Sequence, residues 1–351
     1  MRLITDWFKR TFSDPQIVFL SLMLLISFGV ILGLGDILAP VLASAVIAYL
    51  LEDAVAWLDR RQVPRWLSAG LAFILFLLCL TVVLFGLLPL LSRQVTQLIQ
   101  QLPSMINLGQ QALMALPERY PDIISSAQIQ ELLELIRQEV ASLGQQVVSI
   151  SLASVSGVLT LMVYLVLMPL LVFFFLKDKQ KIVAWFCRFM PEERRLATHV
   201  WVEVDKQITN YMYGKFWEIL IVWAVSFVVF ISFGLQYAML LAVLVGVSVL
   251  IPFLGATLVT IPVLLVAWVQ WGWGPEFIWL TVAYFIIQAL DGNVLVPVLF
   301  SEAVNLHPVA IIVAILVFGG LLGFWGVFFA IPLATLIHAI FNAWPQSSMA
   351  E

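Results

Sequence analysis

Charge is what this chain has least of. Its 351 residues include 17 Lys and Arg and 21 Asp and Glu, together 11% of the sequence, against 63% in the hydrophobic set. Soluble domains carry about a quarter charged residues, and a chain this apolar has too little polar surface to cover a core in water. A water-soluble globule is excluded. Cysteine is almost as scarce: Cys79 lies within an apolar segment and Cys187 in a charged one, positions that one disulfide geometry does not join. Zinc-ligand spacing, a Walker loop and an HExxH pair are all missing, and His199, His307 and His338 are scattered, so no cofactor or metal is expected. No nucleophile, base and orienting group stand together, which argues against an enzyme. A net charge of −4 leaves no basic footprint for nucleic acid.

What is present is a series of long uncharged runs. Ile17–Gly35 spans 19 residues, Trp66–Ser92 27, Val140–Leu176 37, Ile219–Pro275 57 and Ala303–Ala350 48, all without Asp, Glu, Lys or Arg. A bilayer core of about 30 Å needs about 20 helical residues, so membrane lipid is the solvent. Leu, Val, Ile and Phe surround these segments without the alternation of a barrel strand. The expected fold is an all-α membrane protein, polytopic, with about 8 membrane segments. The first run is too long for a signal-peptide core and many further spans follow it, so it reads as an uncleaved helix.

Basic residues orient the segments, because Lys and Arg favour cytoplasmic loops. Residues 1–16, with Arg2, Lys9 and Arg10 among Leu3, Ile4, Trp7 and Phe8, read as a cytoplasmic amphipathic stretch. Three spans are expected over 17–92, the first two forming a hairpin, Ile17–Gly35 and Ile37–Leu58, that turns at Asp36 and returns to Arg60, Arg61 and Arg65. Residues 93–150 hold only three basic residues and read as extracytoplasmic. Val95, Leu98, Ile99, Leu102 and Ile106 recur at helical spacing there, as do Ile129, Leu132, Leu133, Ile136, Val140 and Leu143. The prolines in Leu116–Pro121 separate these two amphipathic helices, expected to pack on their own chain or on a neighbouring subunit. A fourth span, 151–176, returns inside. Residues 177–215 carry eight Lys and Arg and read as a cytoplasmic helical segment whose charges set topology. The membrane core then fills 216–342, and 343–351 is a cytoplasmic tail.

No Lys or Arg follows Lys215, yet Glu218, Glu276, Asp291, Glu302 and Glu351 do, so an acid buried there needs a remote partner. Two apolar pieces, Ala238–Gln270 and Pro308–Ile340, are 33 residues each, more than one crossing and less than two. Both are expected to be broken or re-entrant, the first at Ile251-Pro252-Phe253-Leu254-Gly255 and the second at Gly319, Gly320, Gly323 and Gly326. Unwound backbone at membrane depth survives only when buried or lining a cavity, and in transporters it marks the path. Asp291 lies deep in the uncharged Phe277–Val298, where an acid must be protonated, paired or cation-bound. Asp291 is therefore the candidate proton or cation site, with Asn293 as a hydrogen-bonding neighbour and Pro252, Gly255, Gly319, Gly320, Gly323 and Gly326 lining the path. Glu302 and His307 are loop candidates, His307 most simply as the start of a helix before Pro308.

Asp291-Gly292-Asn293 through Pro297, Val304-Asn305-Leu306-His307-Pro308, Gly319-Gly320, Gly323, Gly326 and Ala330-Ile331-Pro332, with Ile251–Gly255, resemble the autoinducer-2 exporter family over nearly the whole chain. Phe300–Pro308 and Gly323–Phe329 are similar to its permease PerM-like subgroup in proteobacteria. The resemblance implies a multi-pass protein of the bacterial inner membrane that exports or exchanges a small solute or a cation/proton, and a homo-oligomer, a pentamer in this family. Ser301-Glu302 stands where many members have Gly followed by a basic residue. The expected function is a permease; the alternative is a non-transporting scaffold that recruits partners through its extramembrane helices.

Overall fold

In lipid every backbone N–H and C=O must find a partner within the chain, which makes the helix the default for such runs. The computed structural model describes residues 15–114, 131, 134, 154–188, 195–252, 254–300 and 307–343, and all regular elements among them are helical. They are α1 (Pro15–Asp59), α2 (Arg65–Val82), α3 (Leu88–Met114), α4 (Ser154–Cys187), α5 (Arg195–Ser232), α6 (Ala238–Ser248), α7 (Leu254–Trp271), α8 (Pro275–Leu290), α9 (Val296–Phe300), α10 (Pro308–Phe328) and α11 (Ala330–Ala343). One-turn π-helices at Val83–Leu87 and Asp291–Leu295 join α2 to α3 and α8 to α9. Seven stretches among the described residues are long and apolar enough to cross a bilayer. The chain is an all-α polytopic membrane protein.

α1, α2 and α4 form one packed unit. Its buried contacts are small and aliphatic, Ala48, Val55, Ala69, Ala72, Val172 and Leu176, the residues that let helices approach closely where lipid supplies no hydrophobic drive. Ser44, fully buried, donates to the carbonyls of Pro40 (2.6 Å) and Met168 (3.2 Å) and so pins α1 to α4.

Three expectations are corrected here. The hairpin between Ile17–Gly35 and Ile37–Leu58 is absent: α1 runs unbroken for 45 residues through Gly35 and Asp36, because one acid does not cost a helix its internal hydrogen bonds, whereas a turn in lipid would. The polar stretch after Ser92 does not begin as a separate element, since α3 continues the membrane helix. Leu91, Leu98, Leu102 and Met105 on it pack against the apolar core around α6, and Gln94 Oε1 accepts the Leu240 amide at 2.8 Å. The first amphipathic helix thus packs on its own chain; Leu116–Pro121 and Ile129, Leu132, Leu133, Ile136, Val140 and Leu143 lie outside the described residues. Third, the basic stretch 177–215 is divided between the end of α4, kinked at Asp178, and the first half of α5. Lys215, read as a topology signal, is buried at 5% exposure.

The two 33-residue pieces both reverse direction. In the first, the Gln270 amide side chain donates to the Gly234 carbonyl and accepts from the Gln236 N–H, both at 2.8 Å, so the start of α6 and the end of α7 meet. α6 has 11 residues, about 16 Å of helix, and stops well short of crossing about 30 Å of hydrocarbon. At the reversal Gly255 sits so close to α6 that a Cβ would collide with the Ser248 carbonyl oxygen. In the second piece Gly323 adopts φ 59° and ψ −136°, a conformation glycine takes without penalty. The chain then doubles back. A Cβ on Gly326 would overlap the Phe318 carbonyl, and one on Gly319 would sit 2.8 Å from Val327 Cγ2, although residues eight apart in a straight helix are about 12 Å apart. Ala314, Ile315 and Phe318 on one arm and Ala330 on the other form its buried seam, flanked by Ile311, Val327, Leu333 and Ala334.

These close approaches leave no room for a methyl group. Gly255→Ala and Gly326→Ala are each expected to destabilise the protein by about 1–3 kcal/mol through overpacking. Gly70→Ala, where a Cβ meets nothing within 4 Å, should be neutral or slightly stabilising. Thermal unfolding of the detergent-purified variants checks this, and equal midpoints for Gly70→Ala and Gly326→Ala would count against the hairpin geometry.

Candidate functional site

One short stretch of α5 organises the C-terminal half. Gly214 and Lys215 lie three and four residues after Tyr211, and Glu218 three after Lys215, which places all four along one helix face. Tyr211 donates its hydroxyl to the Phe328 carbonyl at 3.1 Å, holding the α10–α11 hairpin just past its reversal. Gly214 meets the Phe300 ring at the end of α9, where a Cβ would come within 2.6 Å. Lys215 donates to the Val249 carbonyl at 2.8 Å, at the end of α6 where the first hairpin breaks. Both hairpins and the α8–α9 helix are therefore anchored within two turns of α5.

Lys215 carries the electrostatics. Its ammonium is 2.7 Å from Glu218 Oε2, with side-chain exposures of 6% and 2%, and the contact rests on charge and proximity more than on hydrogen-bond alignment. The Phe300 ring lies 5.2 Å from the ammonium, a cation–π contact that gains value once water is excluded. Asp291, first residue of the π-turn, interacts electrostatically with both Lys215 and Glu218. Its Oδ1 is buried without a hydrogen-bond partner. With both carboxylates ionised the cluster holds one positive and two negative charges. The last base of the chain is the counter-charge for two of the acids that follow it, Glu218 and Asp291.

The other expected site residues are dispersed. Asn293 gives its amide nitrogen to the Ala289 carbonyl at 2.8 Å and faces outward. Pro252 lies in the break between α6 and α7, where its carbonyl accepts the Leu254 amide at 2.7 Å. Gly319, Gly323 and Gly326 shape the second hairpin, while Gly320 borders open space. His307 caps α10, its Nδ1 accepting the Val309 amide at 3.3 Å. Glu302 lies outside the described residues. Lys215 and Glu218 were not among the expected site residues. The signal for them is a Lys and a Glu three residues apart, the last base before 57 uncharged residues.

Buried charges among interrupted helices, in a chain of membrane-crossing length, are features found in membrane transporters. The particular family follows from comparison. The chain belongs to the AI-2E family of transporters, whose family profile matches residues 18–346. It is 47% identical over 351 residues to PerM of Escherichia coli K12, named as a permease, covering 100% of this chain and 99% of that one. Two Bacillus subtilis relatives, named as transport proteins, are more distant. YueF is 25% identical over 350 residues (95% of this chain, 93% of that one), and YrrI is 27% identical over 312 residues (88% and 87%).

Breaking the buried pair should be expensive. Lys215→Met strands Glu218 and is expected to cost about 3–5 kcal/mol, whereas Lys215→Met with Glu218→Leu should recover most of it, since a buried pair replaced by apolar groups of similar size is often neutral. A double-mutant cycle by thermal unfolding measures this. Additive losses would mean that the two side chains are not coupled.

Proposed function

We propose that this chain is a secondary transporter of the bacterial inner membrane that exchanges a small solute or cation for protons, with Asp291, Glu218 and Lys215 as its coupling centre. The observation that carries the reading is the charge imbalance of the buried cluster: one ammonium faces two carboxylates. With Asp291 protonated the centre is neutral; with Asp291 ionised it carries one excess negative charge in a medium that penalises it. A proton or a monovalent cation at Asp291 restores neutrality, and the two are mutually exclusive there. Lys215 stands 2.7 Å from Glu218, which leaves Asp291 as the group that exchanges its charge.

The breaks supply the path. Val249, on which Lys215 bonds, is the first residue beyond α6, so a change of charge at the centre acts directly on the unwound backbone before Pro252. The Gly319–Gly326 hairpin bears on the same face of α5 through Tyr211 and lines the other side.

The experiment uses the full chain in proteoliposomes loaded with a pH-sensitive dye under an imposed proton gradient. Addition of Na⁺, K⁺ or Li⁺ is expected to drive proton movement in wild type and to leave Asp291→Asn at least tenfold slower, with an unfolding midpoint at or above that of wild type because an unpaired buried charge has been removed. Unchanged flux in Asp291→Asn defeats the assignment of the coupling site.

Sidedness gives a separate check. With the first hairpin returning to its own starting side and α8–α9 crossing once, the path proposed here brings the chain after Phe300 out on the face that carries Arg60, Arg61 and Lys179, which basic residues mark as cytoplasmic. With Cys79 and Cys187 replaced, Ser301→Cys should react with a membrane-impermeant thiol reagent only after permeabilisation. Labelling from outside intact cells would reject this path.

A further inference from the structure

Away from this centre, α1, α2 and α4 enclose a cleft of about 690 Å³ whose walls include Glu52, Arg65, Lys179, Val183, Ala184 and Arg188. Three cations face one carboxylate. Glu52 accepts Arg65 at 3.0 Å and Lys179 at 3.1 Å, and Asp59, next to the cleft, takes the other Arg65 nitrogen at 3.1 Å. This leaves Arg65 Nε and Asp59 Oδ1 buried without partners, and Arg188, exposed, meets no carboxylate among the described residues. The cleft is thus electropositive after its internal pairing is counted.

The level of the cleft identifies its ligand. Trp57, Trp66, Trp185 and Phe186 are exposed around it, and Arg61 stacks over the Trp57 ring at 3.9 Å. Exposed aromatic rings beside Lys and Arg mark the membrane–water interface. Val183 in the cleft wall and, on α2 beyond Arg65, Leu67, Leu71 and Ile74 are exposed, apolar side chains that run from the cleft along the membrane helix. A soluble anion would use the cations and leave that apolar wall bare. A phospholipid uses both, its phosphate among the basic side chains and its acyl chains along α2 and α4. We infer that this cleft is a binding site for the headgroup of an anionic phospholipid, held by Arg65, Lys179 and Arg188.

The test titrates phosphatidylglycerol, phosphatidylcholine or inorganic phosphate into the detergent-purified full-length protein and follows thermal unfolding. Phosphatidylglycerol is expected to raise the midpoint in a saturable way, and the other two at the same concentrations are not. Each basic side chain near an anionic headgroup contributes about 1 kcal/mol, about a fivefold change in affinity. Arg188→Gln should therefore weaken phosphatidylglycerol binding about fivefold, and Lys179→Gln with Arg188→Gln about 25-fold. Arg188→Lys should retain most of it. Lys181→Gln, which removes an 83% exposed cation paired with Asp178, should leave affinity unchanged. Arg188→Gln breaks no ion pair among the described residues, so its loss of binding reads as loss of a ligand contact. An equal response to phosphatidylcholine, an equal response to inorganic phosphate, or wild-type affinity in the double variant would each overturn the inference.

Discussion

The C-terminal half of this protein depends on one buried ammonium. A lysine at 5% exposure loses several kcal/mol of hydration, and only a nearby anion with satisfied remaining donors makes the position tolerable. Lys215 meets that demand by drawing on three separate elements: Glu218 of its own helix, the Val249 carbonyl where α6 ends, and the Phe300 ring beyond the π-turn. Among the described residues no other Lys or Arg is paired with Glu218, and none follows residue 215 in the sequence. The charge that fixes where α6 stops also interacts electrostatically with Asp291.

Breaking helices inside a membrane is costly, and the manner of the breaks here shows how the cost is contained. Each reversal is closed by backbone in near contact with backbone, at Gly255 against Ser248 and at Gly326 against Phe318. Such approaches are open only to glycine, and they shield freed carbonyls from lipid by covering them with the returning arm. The free polar ends of the first hairpin are met by Gln270, which supplies a donor to Gly234 and an acceptor to Gln236. The π-turns are a milder device. They insert one residue per turn without exposing backbone, and the one at Asp291 re-aims a carboxylate toward α5 while α8–α9 remains continuous.

Much of this was legible in the amino-acid sequence because lipid simplifies the code. Uncharged runs of 27 to 57 residues leave few alternatives to helices, and two pieces of awkward length announced that they were broken. Glycine and proline marked where. Three things were not legible. The continuity of α1 through Asp36 depends on whether a single acid outweighs a turn's exposed backbone, a balance that a hydropathy run does not reveal. The packing of α3 on α6 depends on Gln94 reaching the Leu240 amide 146 residues away. Lys215 was hidden by its company: seven other basic residues precede it within 177–215, and among the described residues of that stretch burial is confined to its end, from Tyr211 onward. Position within a charge run decided its role, and composition averaged that away.

The distribution of charge divides the molecule into two electrostatic regimes. At the ends of α1 and α4, Glu52, Asp59, Arg65 and Lys179 form a partly exposed network, in which water and ions screen each pair and no single contact is decisive. Around Lys215 the same types of group sit without water, and each pairing governs the position of a helix end. α5 connects the two regimes, running from Arg195 at the basic face to the buried Glu218. Tyr49 joins them laterally, its hydroxyl bonding to Asp205 and Thr209 of α5 while Tyr213 donates back to the carbonyls of Tyr49 and Leu50. Because these bonds hold α5 to α1 below the buried centre, a shift of the α5 face that carries Lys215 must either break them or move α1 with it. The hydrogen bonding ties α5 to α1 as one body, and the two hairpins are fastened to that body at Val249 and Phe328.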